Sequence, residues 1–303
     1  MSDSYAIEVR DLYKNFGKVQ ALRGLSLLVP KGQVTGFLGP NGAGKTTAIR
    51  ILLGLLRADK GTAVLLGGNP WKDAVALHRR LVYVPGDVAL WPKLTGGEVI
   101  DVLSSLSGGL EPERKKKMLE RFDLDPTKKA RTYSKGNRQK VALVAALASR
   151  AELLILDEPT SGLDPLMEAA FTESIREIKA EGRSVLLSSH IFSEVEKLAD
   201  TVTIIKEGVT VESGTLAELR HLTRTQVSAV LKKDAAGLNG FDGIHDLRRE
   251  GDRVTFSLEN NATASVLARL ASLEPVGLTI NPPSLEDLFL SHYANDDRKV
   301  SVK

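Results

Sequence analysis

Short apolar runs alternate with longer amphipathic segments along the first two thirds of the chain. A continuous apolar run of this length is typical of a strand that is buried on both faces of a parallel sheet. The runs are Val34 to Leu38, Leu153 to Leu156, Val185 to Ser188 and Val202 to Ile205. The segments between the later runs predict helices that cover the sheet. We therefore expect an α/β core built on a mixed, mainly parallel sheet.

Other segments depart from this alternation. Tyr5 to Val9 and Leu25 to Val29 predict strands of an amino-terminal β-subdomain, while Thr62 to Leu66 and Leu81 to Val84 predict a second pair of strands in the core. From about residue 86 to residue 150 the apolar positions take the spacing of helices, which predicts an inserted helical subdomain.

The pattern changes again after Leu222. Short strand-like and helix-like segments follow one another, so residues 223–293 predict a small accessory α+β domain. The polar residues 294–303 predict a flexible tail. Residues 1–222 would then form the main domain, and a length of 303 residues with 42% hydrophobic residues supports one large domain and one smaller one.

Charge and cysteine content exclude several classes of protein. The net charge is only +3, so the chain lacks the strong positive field of a nucleic-acid binder, and we expect no nucleic-acid partner. There is no cysteine, which excludes disulfides and thiolate metal sites and fits a reducing compartment. No signal-peptide core is visible, and no apolar run approaches the ~20 residues of a membrane-spanning helix. We therefore expect a cytoplasmic protein.

The segment from Gly39 to Thr46 joins the predicted strand Val34 to Leu38 to a predicted helix, and its sequence is that of a phosphate-binding P-loop. Glycines allow the backbone to adopt strained angles and to turn its N–H groups around an anion, and the helix amino terminus adds partial positive charge. We expect Lys45 to reach the β- and γ-phosphates and the Thr46 hydroxyl to ligate Mg²⁺. The candidate nucleotide-binding residues of this loop are Gly39, Pro40, Asn41, Gly42, Ala43, Gly44, Lys45, Thr46 and Thr47.

Two carboxylates, Asp157 and Glu158, end the buried run Leu153 to Leu156. Asp157 is expected to hold Mg²⁺ together with Thr46, usually through water, because magnesium prefers oxygen ligands and dehydrates reluctantly. Glu158 is then free to orient and deprotonate the water that attacks the γ-phosphate. An Asp-Glu pair can instead cap a helix or face solvent. The P-loop upstream favours the catalytic interpretation.

The residues from Leu156 to Pro165 resemble the joined Walker B and D-loop motifs of ABC-type ATPases, and His190 after Ser188-Ser189 is similar to their switch histidine. The resemblance covers about residues 5–220. It implies a P-loop NTPase core that binds ATP and Mg²⁺ and hydrolyses ATP, with Glu158 and His190 as catalytic residues. Phe16 resembles the aromatic residue that stacks on adenine in this family; the alternative is an aromatic side chain of a core or turn.

The segment from Tyr133 to Lys140 lies where this family has its signature motif. Ser134 and Gly136 match the motif, whereas Tyr133, Lys135 and Asn137 depart from it. A serine hydroxyl and glycine amides before a helix form an anion-binding terminus, although such a segment read alone is an ordinary helix cap. The resemblance implies that Ser134, Gly136 and Asn137 of one subunit close over the P-loop of another. That subunit would be a second copy of this chain or a related ATPase.

One position differs from the family in a way that affects function. The family usually has a glutamine where Gly86 stands, and that side chain contacts magnesium and links the nucleotide to the transport partner. Glycine has no side chain for either task, and Asp87 beside it either substitutes or faces solvent. The departure predicts altered metal coordination and altered coupling.

Two features that the sequence lacks indicate the process for which the energy of ATP hydrolysis is used. It has one P-loop rather than the tandem pair of the translation factors, and the insert between Lys45 and Ser134 is too short for a long coiled-coil arm. Transport remains, with a separately encoded permease that engages the region from Gly86 to Thr95 and keeps the chain on the inner face of the membrane. The segment Pro283 to Leu290 resembles the tails of bacterial drug and antibiotic exporter ATPases. We therefore expect ATP-driven efflux; the alternatives are an importer ATPase and a soluble ABC-type ATPase of repair or translation.

Overall fold

A computed structural model describes residues 4–221, 224–281 and 284–289. The chain divides into two compact units, Met1–Leu216 and Ala217–Lys303. The predicted boundary at residues 222 and 223 and the predicted flexible tail, residues 294–303, lie outside the described residues.

The first unit is built from two sheets and the helices around them. Its strands are β1 (Tyr5–Phe16), β2 (Val19–Pro30), β3 (Val34–Leu38), β4 (Lys60–Leu65), β5 (Leu81–Val84), β6 (Leu153–Asp157), β7 (Ser184–Ser189), β8 (Thr201–Lys206) and β9 (Val209–Thr215). Its helices are α1 (Lys45–Leu52), α2 (Ala74–His78), α3 (Gly96–Leu106), α4 (Pro112–Arg121), α5 (Lys135–Ala148), α6 (Pro165–Ala180) and α7 (Phe192–Glu196), and α8 (Leu216–His221) follows β9.

The central sheet has the strand order β5-β6-β7-β3-β8-β9. All of its neighbouring strands are parallel except β8 and β9, which are antiparallel. Every residue of β3, β6 and β7 is buried, which explains why these strands are almost continuously apolar. The prediction of an α/β core with a mixed, mainly parallel sheet is confirmed.

The amino-terminal sheet is antiparallel and has the order β2-β1-β4. The strands predicted at Tyr5 to Val9 and Leu25 to Val29 are parts of the longer strands β1 and β2, which are joined by a turn at Gly17. The strands predicted at Thr62 to Leu66 and Leu81 to Val84 are both present, but only the second lies in the central sheet. The first of these segments forms β4, which pairs with β1, because its half-exposed side chains suit the edge of this outer sheet; the second forms β5 in the central sheet.

Residues 86–150 contain α3, α4 and α5. Helix α5 is the centre of this helical region, and its last eight residues, Val141–Ala148, are all buried. Each of two helices begins with a side-chain cap: Thr95 and Glu98 form a capping box on α3, and Ser134 accepts a hydrogen bond from the backbone N–H of Asn137 on α5.

The second unit is a small α+β fold. It consists of β10 (Thr225–Leu231), β11 (Ile244–Glu250), β12 (Arg253–Leu258), α9 (Thr263–Ser272) and β13 (Pro275–Asn281), and its antiparallel sheet has the order β11-β12-β10-β13. The sequence pattern did not predict β11, whose side chains are mostly exposed and polar. After β13, residues 285–289 are also helical. Within the parts of the chain that the structure describes, no helix has the length and apolarity to cross a membrane.

Glycine at position 36 of β3 allows α7 to approach the central sheet. A Cβ atom at Gly36 would lie 2.1 Å from Cγ1 of Val195, and Val195 is fully buried. We predict that Gly36→Ala destabilises the first unit by about 1–3 kcal/mol, because the packed neighbours must shift to admit the methyl group. Thermal unfolding followed by tryptophan fluorescence measures this, since Trp71 and Trp91 both lie in the first unit.

The control is Gly36→Ala combined with Val195→Ala. The shorter side chain at position 195 makes room for the new methyl group, so the double variant should be less destabilised than the sum of the two single variants. An equal effect of Gly36→Ala in both backgrounds would contradict the steric explanation.

Candidate active site

Three neighbouring strands of the central sheet bring the predicted catalytic groups to one edge. The order β6-β7-β3 is parallel throughout, so the carboxyl ends of these strands lie side by side. The P-loop follows β3, Glu158 follows β6, and His190 follows β7. Residues that are more than a hundred positions apart in the chain therefore meet at this edge.

Lys45, the first residue of α1, lies inside the loop that precedes it. Only 6% of its surface is exposed, and its Nζ donates to the backbone oxygens of Gly39 at 2.6 Å and Pro40 at 3.1 Å. Burial lowers the pKa of Lys45, and the carboxylates of Glu158 and Asp157 oppose this shift. The loop thus encloses a cation at the start of a helix, where the first N–H groups have no partner within the helix, and this arrangement favours an anion.

Two of the P-loop glycines serve different needs. Gly42 has a φ of +82° with open space around a hypothetical Cβ, so its backbone conformation requires glycine. Gly39 does not have a positive φ; a Cβ there would lie 2.3 Å from the backbone oxygen of Ile205 in β8. The expectation of a strained angle at Gly39 is therefore wrong. That position requires glycine because two backbones approach closely there.

The side chains of Thr46 and Asp157 meet at the predicted magnesium position. Thr46 Oγ1 lies 3.4 Å from Asp157 Oδ2. Burial raises the pKa of Asp157, which is 7% exposed. A hydroxyl and a carboxylate fit Mg²⁺, which favours oxygen ligands. The described residues include no cluster of three or more His, Cys, Asp or Glu side chains suited to a metal.

Glu158 and His190 contact each other directly. His190 Nδ1 lies 3.0 Å from Glu158 Oε1. Glu158 has a φ of +49°, which is uncommon for a residue with a side chain and often occurs at functional sites. Its N–H donates to the backbone oxygen of Ser188 at 2.8 Å, and its carbonyl accepts from Ser161 at 3.1 Å. These bonds fix the backbone so that the Glu158 carboxylate meets the imidazole.

A cavity of about 580 Å³ opens next to these groups. The predicted residues that line it are Pro40, Asn41, Gly42, Gly44, Lys45, Thr46, Thr47 and Glu158. Gly39, Ala43 and Asp157 are neighbours of these residues in the chain, and His190 contacts Glu158.

The sequence pattern missed one wall of this cavity. It is formed by Lys18, Val19, Gln20, Ala21 and Arg23 of the β1–β2 hairpin, and by Glu207. Arg23 and Glu207 are ion-paired at 2.9 Å. These two residues are 184 positions apart, so no local pattern could have indicated their contact.

Phe16 lies beside the cavity rather than in it. It ends β1, is 49% exposed, and its ring centroid is 5.6 Å from Lys14 Nζ. The cavity is lined by the residues that follow it, from Lys18 onward. The exposure of Phe16 excludes the alternative of a core aromatic.

The signature-like residues are not brought to this cavity. Ser134 is exposed at the start of α5, and Ser134, Gly136 and Asn137 do not line the cavity. A Cβ at Gly136 would lie 2.7 Å from the backbone oxygen of Gly162. The segment is therefore packed against the loop that follows Glu158, and its exposed hydroxyl is available to another molecule.

Gly86 lies next to the carboxyl end of β6. A Cβ at this position would be 3.2 Å from the backbone oxygen of Asp157 and 3.5 Å from Cβ of Glu158. Asp87 is exposed, so of the two alternatives for this side chain the structure favours the one that faces solvent. The backbone of the loop after β5 thus lies close to Asp157 and Glu158 at Gly86.

Comparison with known proteins places this geometry in a family. The sequence matches the family model described as ABC transporter over residues 22–161 and the model described as the C-terminal domain of DrrA1-3-like ATP-binding proteins over residues 214–293. It is 35% identical to the daunorubicin resistance ATP-binding protein DrrA3 of Streptomyces coeruleorubidus, with 99% of both chains covered. It is also 35% identical to the bacitracin transport ATP-binding protein BcrA of Enterococcus faecalis over 73% of this chain and 72% of that protein.

Solved structures agree with the sequence comparison. A structure of an ATP-binding subunit of an ABC transporter is similar with a TM-score of 0.66 and 31% identity, and the match covers 72% of this chain and 92% of that chain. ATP binding and hydrolysis are the characteristic activities of such domains. The chain belongs to the family of ABC transporter ATP-binding proteins and is an ABC-type ATPase.

Proposed function

We propose that this chain is the ATP-hydrolysing subunit of an ABC exporter that removes a drug-like or antibiotic compound through a separate permease. The observation that carries the hydrolytic role is the meeting of Lys45, Thr46, Asp157, Glu158 and His190 at one edge of the sheet. Export is supported by the relatives whose names record daunorubicin resistance and bacitracin transport.

Each side chain has a role that its position supports. Lys45 and the N–H groups at the start of α1 bind the β- and γ-phosphates, and Thr46 with Asp157 would hold Mg²⁺, which neutralises charge on the phosphates when bound. Glu158 orients the attacking water and accepts its proton, because its carboxylate lines the cavity. His190 contacts Glu158 through Nδ1. We assign it to the γ-phosphate because it lies beside the carboxylate that would activate the attacking water.

The site is one half of a shared site. Ser134, Gly136 and Asn137 do not line the cavity of their own chain, yet they form an anion-binding helix start with an exposed hydroxyl. We assign them to the phosphates bound by a second copy of the chain or by a related ATPase, in a head-to-tail dimer.

The same proposal assigns the rest of the chain. Residues 1–222 form the ATPase domain, with the helical subdomain at about 86–150, and residues 223–293 form an accessory domain. The permease binds near Gly86 to Thr95, where Trp91 is half-exposed, and holds the protein on the inner face of the membrane. No nucleic-acid partner is proposed.

The first test is Glu158→Gln in the purified chain. We predict that steady-state phosphate release from ATP falls by about 10²–10⁴-fold, since the amide cannot accept the proton of the attacking water. ATP binding, measured by equilibrium titration, should be retained because Lys45 and the P-loop are unchanged. Turnover equal to that of the wild type would contradict a catalytic role for Glu158.

The matched control for this test is Lys45→Ala, which should abolish ATP binding itself. The two variants therefore separate loss of chemistry from loss of substrate.

The second test concerns the output of hydrolysis. We predict that the full chain, affinity-tagged and purified from membranes of its own host, recovers a protein with several membrane spans, identified by mass spectrometry. The comparison is a variant with Trp91→Asp, whose charge in the proposed permease contact should reduce the recovery. Recovery of ribosomal proteins or DNA, with no membrane protein, would favour a soluble repair or translation ATPase instead.

A further inference from the structure

Glu194 in α7 connects the two loops that carry the catalytic pair. Its carboxylate accepts from the Thr160 hydroxyl, at 3.0 Å for Oε1 and 2.9 Å for Oε2, and from the Ser189 hydroxyl at 3.2 Å for Oε2. Thr160 follows Glu158 by two residues, and Ser189 directly precedes His190. One side chain therefore bridges the loop after β6 and the loop after β7.

The hydrogen bonds continue into the histidine loop. The N–H of Ile191 donates to the Ser189 hydroxyl oxygen at 2.9 Å, and that hydroxyl in turn donates to Glu194. His190 lies between these two residues, so its backbone is fixed on both sides. Ser189 is 2% exposed, which makes an unmade hydrogen bond at this position costly.

Glu194 itself is held by the core. Its neighbour Val195 is fully buried and fills the space that the missing side chain of Gly36 leaves on β3. Helix α7 cannot slide along the sheet without losing this contact. The carboxylate is therefore presented to both loops from a helix that packs on β3, the strand that leads into the P-loop.

We propose that Glu194 is a positioning residue for ATP hydrolysis. By accepting hydrogen bonds from Thr160 and Ser189, it keeps the loop of Glu158 and the loop of His190 at the separation at which the two catalytic side chains meet. This inference rests on the proposed function, because it assigns a role within the same reaction. Glu194 does not line the cavity, so the role we assign to it is to position the two loops.

The chemistry of the contact explains the choice of residue. An ionised carboxylate has two acceptor oxygens and can bind both hydroxyls at once, and such charge-assisted hydrogen bonds are stronger than neutral ones. A glutamine keeps one acceptor oxygen but has no negative charge, so its hydrogen bonds to the two hydroxyls are weaker. The Glu158 backbone has a positive φ and needs support of this kind from its surroundings.

The experiment measures steady-state phosphate release from ATP by the purified full chain. Glu194→Ala should lower kcat by about a hundredfold, because small displacements of catalytic groups have effects of this size. KM for ATP should stay within about twofold, because the P-loop is untouched. Glu194→Gln should give an intermediate kcat.

Thr160 supplies the test on the opposite side of the same contact. Thr160→Val keeps the shape of the side chain but removes the hydroxyl, so kcat should fall while KM is kept, and Thr160→Ser should restore kcat. The double variant Thr160→Val with Glu194→Ala should be no slower than Glu194→Ala alone, since both changes remove the same bond. The comparison of Thr160→Val with Thr160→Ser tests the proposal even if Glu194→Ala does not fold.

The matched control is Glu168→Gln. Glu168 lies in the first turn of α6, as Glu194 lies in the first turn of α7, and its side chain has no partner among the described residues. Its substitution should leave kcat unchanged. A wild-type kcat in Glu194→Ala, or a loss in Thr160→Val that Thr160→Ser does not restore, would overturn the proposal. A wild-type chain that releases no phosphate would overturn the proposed function as well.

Discussion

The parallel hydrogen bonding of β6, β7 and β3 is the constraint on which the active site depends. These strands are completely buried, so the polar groups that the site needs occur only where the chain leaves the sheet. At that edge the P-loop, the Asp157-Glu158 pair and His190 lie at the carboxyl ends of neighbouring strands. The same edge holds a buried ammonium group, two carboxylates and a helix amino terminus, which together form a site for a phosphate and its counterion.

The sequence predicted the groups that local chemistry requires. Short motifs contain the P-loop glycines with Lys45, the two carboxylates after a buried strand, and His190. The apolar runs predicted the sheet that brings these motifs together. The contacts between distant segments were not predictable. The ion pair of Arg23 with Glu207 depends on how β2 and the β8–β9 turn meet. The half-exposed side chains of β4 suit a sheet edge, but they do not specify β1 as its pairing partner.

Gly86 shows how a missing side chain can be informative. The sequence indicates only that a polar side chain is absent there. The structure shows that the backbone at Gly86 lies close to Asp157, at the end of the strand that precedes Glu158. In our account, movement of the permease at residues 86–95 and the chemistry at Glu158 are linked through this contact, while Glu194 keeps Glu158 and His190 together from the other side.

The central claim is that one chain holds only half of the site and that Ser134 of another copy completes it. The most direct measurement is the mass of the hydrolysis-deficient Glu158→Gln protein in saturating ATP and Mg²⁺ by analytical ultracentrifugation, with and without Ser134→Asp. Aspartate preserves the helix cap of α5 but opposes phosphate. The account predicts twice the mass of one chain for Glu158→Gln and the mass of one chain when Ser134→Asp is added. A single-chain mass for ATP-saturated Glu158→Gln, or a dimer that Ser134→Asp leaves intact, would contradict it.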